Sequence, residues 1–331
     1  MYNMEQYIDQ CLSSLIIGEG MEDLEVLVIN DGSRDSSLSL ARKYEQQYPQ
    51  TYRVIDKENG NYGSCINRGL AECTGRYVRV LDADDYLETS NLAEFVRLLS
   101  CTELDMVFSD YNKVDGNGRF SRLVRNRRLH PDKTYSTRDL TRHRLYVFIH
   151  NVTYRTELLK AMHYHQSEGL SYTDQEWIFL PMAMVKSWKY WPNVNYNYRL
   201  GREGQTVSKE AHIRTMSHEI KGFLGNVRTY EQIKGTLSKD ACSYLRHRLQ
   251  LRAKVIYEAF LLYYHHEMAS RMGELEHLDK ELQHLSPETY ELAAKLHFHI
   301  GPFRYYFVQR WRKSGYNTTL WGLRHRRQKK A

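Results

Sequence analysis

The chain has 331 residues, of which 41% are apolar and 26% charged, with 19 glycines and 6 prolines. This composition predicts a folded protein of about two domains and excludes a fibrous or disordered chain. We find no apolar run near the roughly 18 residues of a membrane span and no secretory leader after Met1. Five scattered cysteines without a CxxC pair argue against a disulfide framework or zinc site and predict a reducing, cytoplasmic location.

Short apolar runs alternate with helical patterns through the first third of the chain. The predicted strands are 24–29, 52–55, 76–81 and 104–108. The predicted helices are 35–48, 64–72 and 91–99, after a first helix that runs to Leu15 with Asn3 as its cap. This alternation predicts βαβ units and a largely parallel sheet.

The second half of the chain is mainly helical in pattern. An aromatic run predicts a helix over 174–185, and 241–264 carries a long amphipathic face. Ser286 followed by Pro287 predicts the start of a helix over 287–298. The predicted regions are 1–110, 111–205 and a helical region over 206–331.

Three carboxylates follow a predicted strand in 80–87 (VLDADDYL), namely Asp82, Asp84 and Asp85. In open α/β sheets, ligands bind beyond the carboxyl ends of the strands. Carboxylates at this spacing can share Mg²⁺ or Mn²⁺, and such ions usually reach a diphosphate as well. Taken alone, the motif is also compatible with a solvated acidic turn.

Two further motifs precede this acidic turn. In 29–35 (INDGSRD), Asp31 ends a strand and can accept an N–H from a base or a ribose hydroxyl. Alone this motif is ordinary turn chemistry. The glycine-rich segment 58–69 (ENGNYGSCINRG) would let the backbone approach a ligand closely, but it lacks the GxxxxGK[ST] pattern of a phosphate P-loop.

Together these motifs resemble the nucleotide-sugar half of glycosyltransferase family 2, which has the GT-A fold. The family pattern is NDGSxD after a strand, then an Asn/Gly-rich loop, then TGxYxxxLDxDD. Its three parts stand here, in that order, at Asn30–Asp35, Glu58–Gly69 and Thr74–Asp85. The resemblance implies a GT-A (Rossmann-like) α/β domain with a helical C-terminal extension.

The resemblance also implies roles for the matching residues. Asp31 would contact the nucleotide base, and Asp82 would lie near the ribose. Asp84 would hold the metal, Mn²⁺ or Mg²⁺, and Asp85 would support the metal site or face the acceptor. The donor pocket would be shaped by Asn59, Gly63 and Asn67.

Inverting sugar transfer needs a carboxylate that takes the proton from the attacking hydroxyl. In 168–179 (EGLSYTDQEWIF), an acid precedes an aromatic run as it does in the family. Asp174 is the predicted base, and Glu176 is the alternative. A purely structural role for Asp174, as a helix cap, is equally compatible with the local sequence.

Two more residues are assigned through the same resemblance. The segment 198–208 (YRLGREGQTVS) is similar to the flexible GRxGQS segment of the family. Arg202 would stabilise the diphosphate leaving group, with Gln205 in the same motif. His150 lies in the region that lines the acceptor side in relatives, and a structural histidine is the alternative interpretation.

The family pattern normally opens with a strand of the form SIIVPVYN, of which only the end matches here, at Met1-Tyr2-Asn3. We expect this strand to be missing from the centre of the sheet. Its neighbours would then lack backbone partners and the donor pocket would be open. Either the start of the chain is placed too late or this form is impaired.

The predicted activity is transfer of a sugar from a nucleoside diphosphate-sugar, UDP-linked, to a glycan or lipid-linked hydroxyl in surface polysaccharide synthesis. One alternative is a relative that binds glycan or partners without turnover. Another is a haloacid-dehalogenase-like phosphatase, although that chemistry favours Thr or Val where Tyr86 stands.

The chain carries 47 lysines and arginines against 40 acids. Its segment 304–330 contains several lysines and arginines and no acidic residue. Aromatic and basic residues alternate from Phe303 to Arg312, and 324–330 (RHRRQKK) is a basic tail. This mix predicts contact with the inner face of an anionic membrane, with no nucleic-acid partner. A helix packed on the catalytic domain is the alternative.

Overall fold

The computed structural model describes residues 1–315 except 144, 146, 203, 204, 206, 207, 265 and 266. The chain divides into two compact units, Met1–Gln205 and Thr206–Ala331. The first unit contains both predicted regions 1–110 and 111–205. The basic tail 324–330 lies outside the described residues.

The first unit contains both helices and strands. The helices are α1 (Ile8–Ser13), α2 (Ser37–Gln47), α3 (Asn61–Glu72), α4 (Thr89–Ser100), α5 (Thr137–Arg142), α6 (Thr156–Ala161), α7 (Asp174–Trp177) and α8 (Leu180–Met184). The strands are β1 (Val26–Asp31), β2 (Tyr52–Lys57), β3 (Tyr77–Val78), β4 (Tyr86–Leu87), β5 (Met106–Val114), β6 (Phe120–Val124), β7 (Thr134–Tyr135), β8 (Val152–Arg155) and β9 (Trp188–Arg199).

These strands form two sheets. β1 and β2 pair in parallel, with Val28 opposite Val54. A larger mixed sheet has the order β3-β8-β5-β9-β4, with β6 on β5 and β7 on β9. Only β5 and β9 run parallel there, and the other described pairs are antiparallel. The prediction of a largely parallel sheet is therefore wrong for the larger sheet. The short 115–119 turn makes β6 antiparallel to β5, and the other antiparallel pairs join strands that are distant in sequence.

β1 and β3 do not pair with each other among the described residues. The Met1 ammonium donates to the Ile29 carbonyl at 2.5 Å, and the Met1 carbonyl accepts from the Asp31 N–H at 2.9 Å. β3 is shorter than the predicted strand 76–81, because its ladder with β8 covers two residues only. One apolar core nevertheless joins β1 and β2 to the larger sheet, through side chains such as Tyr111 and Tyr196.

The predicted helix 174–185 is broken into α7 and α8. Pro181 has no N–H and cannot donate to the carbonyl of Trp177, four residues earlier. That carbonyl instead accepts a hydrogen bond from the hydroxyl of Tyr154 at 3.0 Å. The break therefore follows from the proline, with a partner from β8 replacing the lost helical bond.

The first helix also differs from its prediction. Asn3 has a φ of 52°, and its side-chain oxygen accepts from the Arg34 N–H at 2.9 Å. The Met4 N–H donates to the Ser37 hydroxyl at 2.6 Å. Asn3 thus ties the start of the chain to the loop after β1, and α1 begins only at Ile8.

The second unit is mainly helical. Its elements are α9 (Lys209–Arg214), α10 (Met216–Ile233), α11 (Lys239–Glu258), α12 (Met272–Leu285), α13 (Pro287–Ala294), β10 (Phe298–Ile300), β11 (Phe303–Tyr305) and α14 (Phe307–Ser314). The Ser286 hydroxyl caps α13, accepting from the Thr289 N–H at 3.2 Å. Among the helices that the structure describes, none has the length and apolar character of a membrane span.

α14 is held inside the second unit. Phe307 and Val308 are fully buried, and Arg312 pairs with Asp279 at 2.6 Å. The guanidinium of Arg312 also lies 3.4 Å from the ring centroid of Tyr290. Phe307, Trp311 and Arg312 therefore contribute to packing, whereas Phe303 in the β10–β11 hairpin is 74% exposed.

Candidate active site

Asp31 lies at the carboxyl end of β1 and is buried. Its carboxylate forms an ion pair with Lys57, at the corresponding end of β2. The Gly60 N–H donates to the same carboxylate oxygen at 2.9 Å, and the Asn59 side-chain amide donates to the Asp31 carbonyl at 2.9 Å. The pairing of β1 with β2 thus brings a negative group and its counter-charge to one edge.

The segment 58–67, which leads into α3, contacts several parts of the site. Besides the Gly60 bond to Asp31, the Tyr62 hydroxyl donates to the Asp82 carboxylate at 2.9 Å. Asn67 exchanges hydrogen bonds with the backbone of Gln166, at 2.8 and 2.9 Å. The segment therefore connects Asp31, Asp82 and the loop that precedes Asp174.

Gly63 lies in α3 where this loop crosses the helix. A Cβ on Gly63 would lie 1.9 Å from the carbonyl oxygen of Ser167, closer than any real contact. The Gly169 N–H donates to the Gly60 carbonyl at 3.3 Å in the same region. The structure thus places Gly63 and Asn67 against the 166–169 loop.

The acidic turn after β3 concentrates negative charge. Asp85 is buried and accepts from the Tyr196 hydroxyl and the Arg199 N–H, both at 2.7 Å. Burial first, and then repulsion by Asp82 and Asp84, raises the pKa of Asp85 well above its ordinary value. Burial and then repulsion by Asp84 likewise raise the pKa of Asp82, with a smaller contribution from Asp174. The Asp174 carboxylate therefore acts electrostatically on this turn.

Asp84, the predicted metal ligand, forms an ion pair with Arg202. The Arg202 guanidinium also lies 5.9 Å from the ring centroid of Tyr7. Gln205 holds the same segment, because its amide nitrogen donates to the Arg199 carbonyl at 2.6 Å and its oxygen accepts from the Gly201 N–H at 2.9 Å. The predicted GRxGQS-like segment thus meets the acidic turn, with Glu203 and Gly204 outside the described residues.

Asp174 begins α7, and its carboxylate accepts from the Gln175 side chain at 3.0 Å. Glu176 instead accepts from the Ser167 N–H at 2.8 Å, which holds the loop before α7. Tyr172, just ahead, has a φ of 62°, an unfavourable conformation that such a residue adopts only where its surroundings impose it.

His150 is 6% exposed and stacks with the rings of Phe148 and Tyr198, at 5.7 and 4.3 Å between centroids. Burial first, and then the charges of Arg79 and Lys113, lowers the pKa of His150 to about 3, so the ring is neutral. Neither ring nitrogen has a hydrogen-bond partner among the described residues.

Several site residues escaped the sequence analysis, namely Lys57, Tyr62, Arg79, Tyr196 and Arg199. Lys57 had a usable signal, since it closely follows the predicted strand 52–55, which a βαβ unit can place beside the strand before Asp31. Arg199 donates through Nε to the Asp84 carbonyl at 2.8 Å, more than 100 positions away in sequence. The pairing of β4 with β9 brings Arg199 next to Asp84.

The larger sheet, the parallel pair β1–β2 and the acidic turn together form a GT-A domain. Among solved structures, the chain is similar to TarS 1-349 of S. aureus, with a TM-score of 0.61 at 16% identity over 93% of this chain and 96% of that one. The same TarS fragment in complex with UDP-GlcNAc gives a TM-score of 0.60 at 19% identity, over 89% and 81% of the two chains. These likenesses establish the GT-A fold.

The family model described as glycosyl transferase family 2 matches residues 1–162, and this part of the chain belongs to that family. The chain is 32% identical over 111 residues to the putative glycosyltransferase EpsH of Bacillus subtilis (strain 168), across 34% of this chain and 31% of EpsH. It is 23% identical over 236 residues to the minor teichoic acid biosynthesis protein GgaB of the same strain, across 69% of this chain and 25% of GgaB. The chain thus spans a third or less of the length of these two relatives.

Proposed function

We propose that the protein transfers a sugar from a nucleoside diphosphate-sugar to a hydroxyl of a glycan or lipid-linked acceptor, in the synthesis of a surface polysaccharide. The observation that carries this proposal is the convergence on segment 58–67. This one segment contacts Asp31, Asp82 and the loop before Asp174. At these three places we expect, in that order, the nucleobase of the donor, the ribose of the donor and the catalytic carboxylate that deprotonates the acceptor.

On the donor side, Asp31 accepts from the nucleotide base and Asp82 accepts from the ribose. UDP is the proposed nucleotide, supported by the resemblance in fold to TarS, which has been crystallised with UDP-GlcNAc. Arg202 neutralises charge on the departing diphosphate, for which a guanidinium is well suited. Its present partner Asp84 holds it beside the acidic turn.

On the acceptor side, Asp174 takes the proton from the attacking hydroxyl, and attack on the face opposite the diphosphate inverts the anomeric carbon. Asp174 suits this role better than Glu176, because a backbone N–H already engages the Glu176 carboxylate.

The donor groups of the acidic turn fit a divalent cation. Carboxylate oxygens suit Mg²⁺ and Mn²⁺, and the unpartnered imidazole of His150 lies beside them. A bound cation would supply positive charge that stabilises the diphosphate as it leaves. Asp84 would be available as a further ligand if Arg202 turned from its carboxylate to the diphosphate.

Incubation of the purified chain with UDP-, GDP- and dTDP-sugars and Mn²⁺ tests the proposal through release of nucleoside diphosphate. We expect release from one UDP-sugar, stimulated by an acceptor glycan. Hydrolysis of a simple phosphate monoester, with no release from sugar nucleotides, would support the phosphatase alternative. Thermal stabilisation by a sugar nucleotide without turnover would support the non-catalytic alternative.

We also propose that the exposed β10–β11 hairpin contacts the inner face of the membrane, where lipid-linked acceptors are found. Phe303 is largely exposed at its tip beside the exposed Arg304. An aromatic ring next to a cation suits an anionic lipid interface.

A further inference from the structure

We infer that Asp82, Asp85 and His150 form a binding site for a divalent cation in the donor-free protein, and that the imidazole makes this site prefer Mn²⁺ to Mg²⁺. One ligand atom from each of these residues lies within 4.8 Å of the other two. Opposite ligands of an octahedral cation are about 4.2 Å apart and adjacent ligands about 3.0 Å apart, given metal–ligand bonds of about 2.1 Å. The three ligand atoms therefore lie within about 2 Å of the spacing that one cation requires.

The imidazole is available as a ligand. His150 is nine-tenths buried, yet neither ring nitrogen has a partner in the part of the chain that the structure describes. Such an unpaired polar group is costly unless a ligand completes it. The rings of Phe148 and Tyr198 stack on the imidazole, and Tyr111 and Tyr196 lie 4.9 and 5.1 Å from it between centroids. These aromatic contacts hold the ring while both nitrogens stay without a hydrogen bond among the described residues.

The charges point to a cation as well. Within the described residues, Asp84 is paired with Arg202, whereas no lysine or arginine pairs with Asp82 or Asp85. Arg79 lies beside His150 but donates to its backbone carbonyl, to Thr153 and to Ser109. One divalent cation would balance both carboxylates, and a neutral imidazole would add a ligand without adding charge.

The mixed ligand set separates the two candidate metals. Mg²⁺ keeps oxygen ligands and gives up its waters reluctantly, whereas imidazole suits first-row transition ions. Loss of the His150 side chain should therefore reduce the affinity for Mn²⁺ more than the affinity for Mg²⁺. This inference rests on the proposed function for the cation's place in the reaction, but cation binding is measurable without any turnover.

The test is titration of the whole donor-free chain with Mn²⁺, in which loss of the free-ion EPR signal reports binding. His150→Ala should weaken Mn²⁺ binding at least ~10-fold, because loss of a residue that only supports a metal ligand already weakens binding by about that much. Mg²⁺, measured by competition, should weaken less. His130→Ala, an exposed histidine of the first unit, is the matched control and should bind as wild type does.

Pulsed EPR gives a second reading that does not depend on the stability of a variant. Mn²⁺ bound to wild type should show ¹⁴N coupling from a directly bonded imidazole. Absence of that coupling, or equal Mn²⁺ affinity in a folded His150→Ala variant, would overturn the inference. A chain that binds Mn²⁺ through His150 but releases no nucleotide from any sugar donor would refute the proposed function and leave this site standing.

Discussion

Asp84 joins two parts of the site, because its carboxylate pairs with Arg202 while its carbonyl accepts from Arg199. Asp84→Asn should abolish metal-dependent donor turnover and cost about 1–3 kcal/mol of stability through the weakened ion pair. Nucleotide release with Mn²⁺, alongside circular dichroism to verify folding, measures both effects. Turnover at the wild-type rate would remove Asp84 from both its proposed roles.

Asp174 and Glu176 are two residues apart and make different contacts. Asp174→Asn should lower sugar transfer at least ~100-fold with little change in donor affinity, because a positioned base is typically worth that much. Transfer rates at saturating donor and acceptor, with donor affinity from calorimetry, separate the two quantities.

Glu176→Gln is the comparison variant for this prediction. It should chiefly loosen the loop that the Glu176 carboxylate holds through the Ser167 N–H. A larger loss of transfer in Glu176→Gln than in Asp174→Asn would move the proton-accepting role to Glu176.

At the scale of elements, α3 packs directly against the 166–169 loop because Gly63 has no side chain. Gly63→Ala would force this backbone contact apart and should cost at least about 1–3 kcal/mol, the usual cost of overpacking. Gly69→Ala, in the same helix, meets only a side-chain carbon at 4.0 Å and should be neutral or stabilising by up to about 1 kcal/mol. Urea unfolding of both variants checks this, and equal stabilities would contradict it.

α2 is tied to β2 by a carboxylate. Glu45 accepts from the Val54 N–H at 2.7 Å, and this bond, helped by Arg42, lowers the pKa of Glu45. A lowered folded-state pKa means that the contribution to stability is present above the unfolded value near 4.3 and is lost as pH falls through the folded value. Glu45→Gln should therefore be less stable than wild type near pH 7, and the difference should shrink below about pH 4.

Urea unfolding near pH 7 and near pH 3.5 measures this effect. Glu94→Gln, at an exposed position of α4, is the matched control and should leave stability unchanged at both values. A Glu45→Gln deficit that stays constant with pH would show that packing, and not the charge, is responsible.

Local signals predicted most elements and failed where distant partners decide the outcome. β1, α2 and the Ser286 cap follow from periodicity and end residues close in sequence. Pro181 indicates the break between α7 and α8, but the aromatic run around it predicted one continuous helix. The short β3 and the antiparallel sheet could not be derived, since both depend on which distant segments lie beside each strand.

The same limit applies to the site. Motifs identified Asp31 and the 82–85 turn, because their spacing is local. The ion-pair and hydrogen-bond partners of these residues come from other strands, and Tyr196 among them carries no motif of its own. The pairing of Arg202 with Asp84 needed the fold, because each residue taken alone has a plausible role toward the diphosphate.

At the scale of the whole molecule, the proposed membrane contact is assigned to the hairpin and not to α14. Deleting 303–331 would remove the buried Phe307 and Trp311 and disrupt the second unit, so point variants are the sharper test. Phe303→Ser combined with Arg304→Ser should reduce sedimentation with phosphatidylserine vesicles and leave the melting temperature unchanged.

Phe120→Ser is the matched control for this prediction, since Phe120 is 66% exposed on β6 of the first unit. It should sediment with the vesicles as wild type does. If the hairpin variant and the control bind equally well, the hairpin is not the contact surface.

The contacts of segment 58–67 with Asp31, Asp82 and the 166–169 loop have a thermodynamic consequence for the proposed function. A donor that orders residues 58–62 would also restrain the loop in front of Asp174, because this loop is bonded to the same short segment. The binding free energies of donor and acceptor would then be linked. Such linkage is reciprocal, because the factor by which bound donor raises the affinity for acceptor equals the factor by which bound acceptor raises the affinity for donor. Since Gly63 permits the contact that transmits this coupling, Gly63→Ala should bring both factors toward one together.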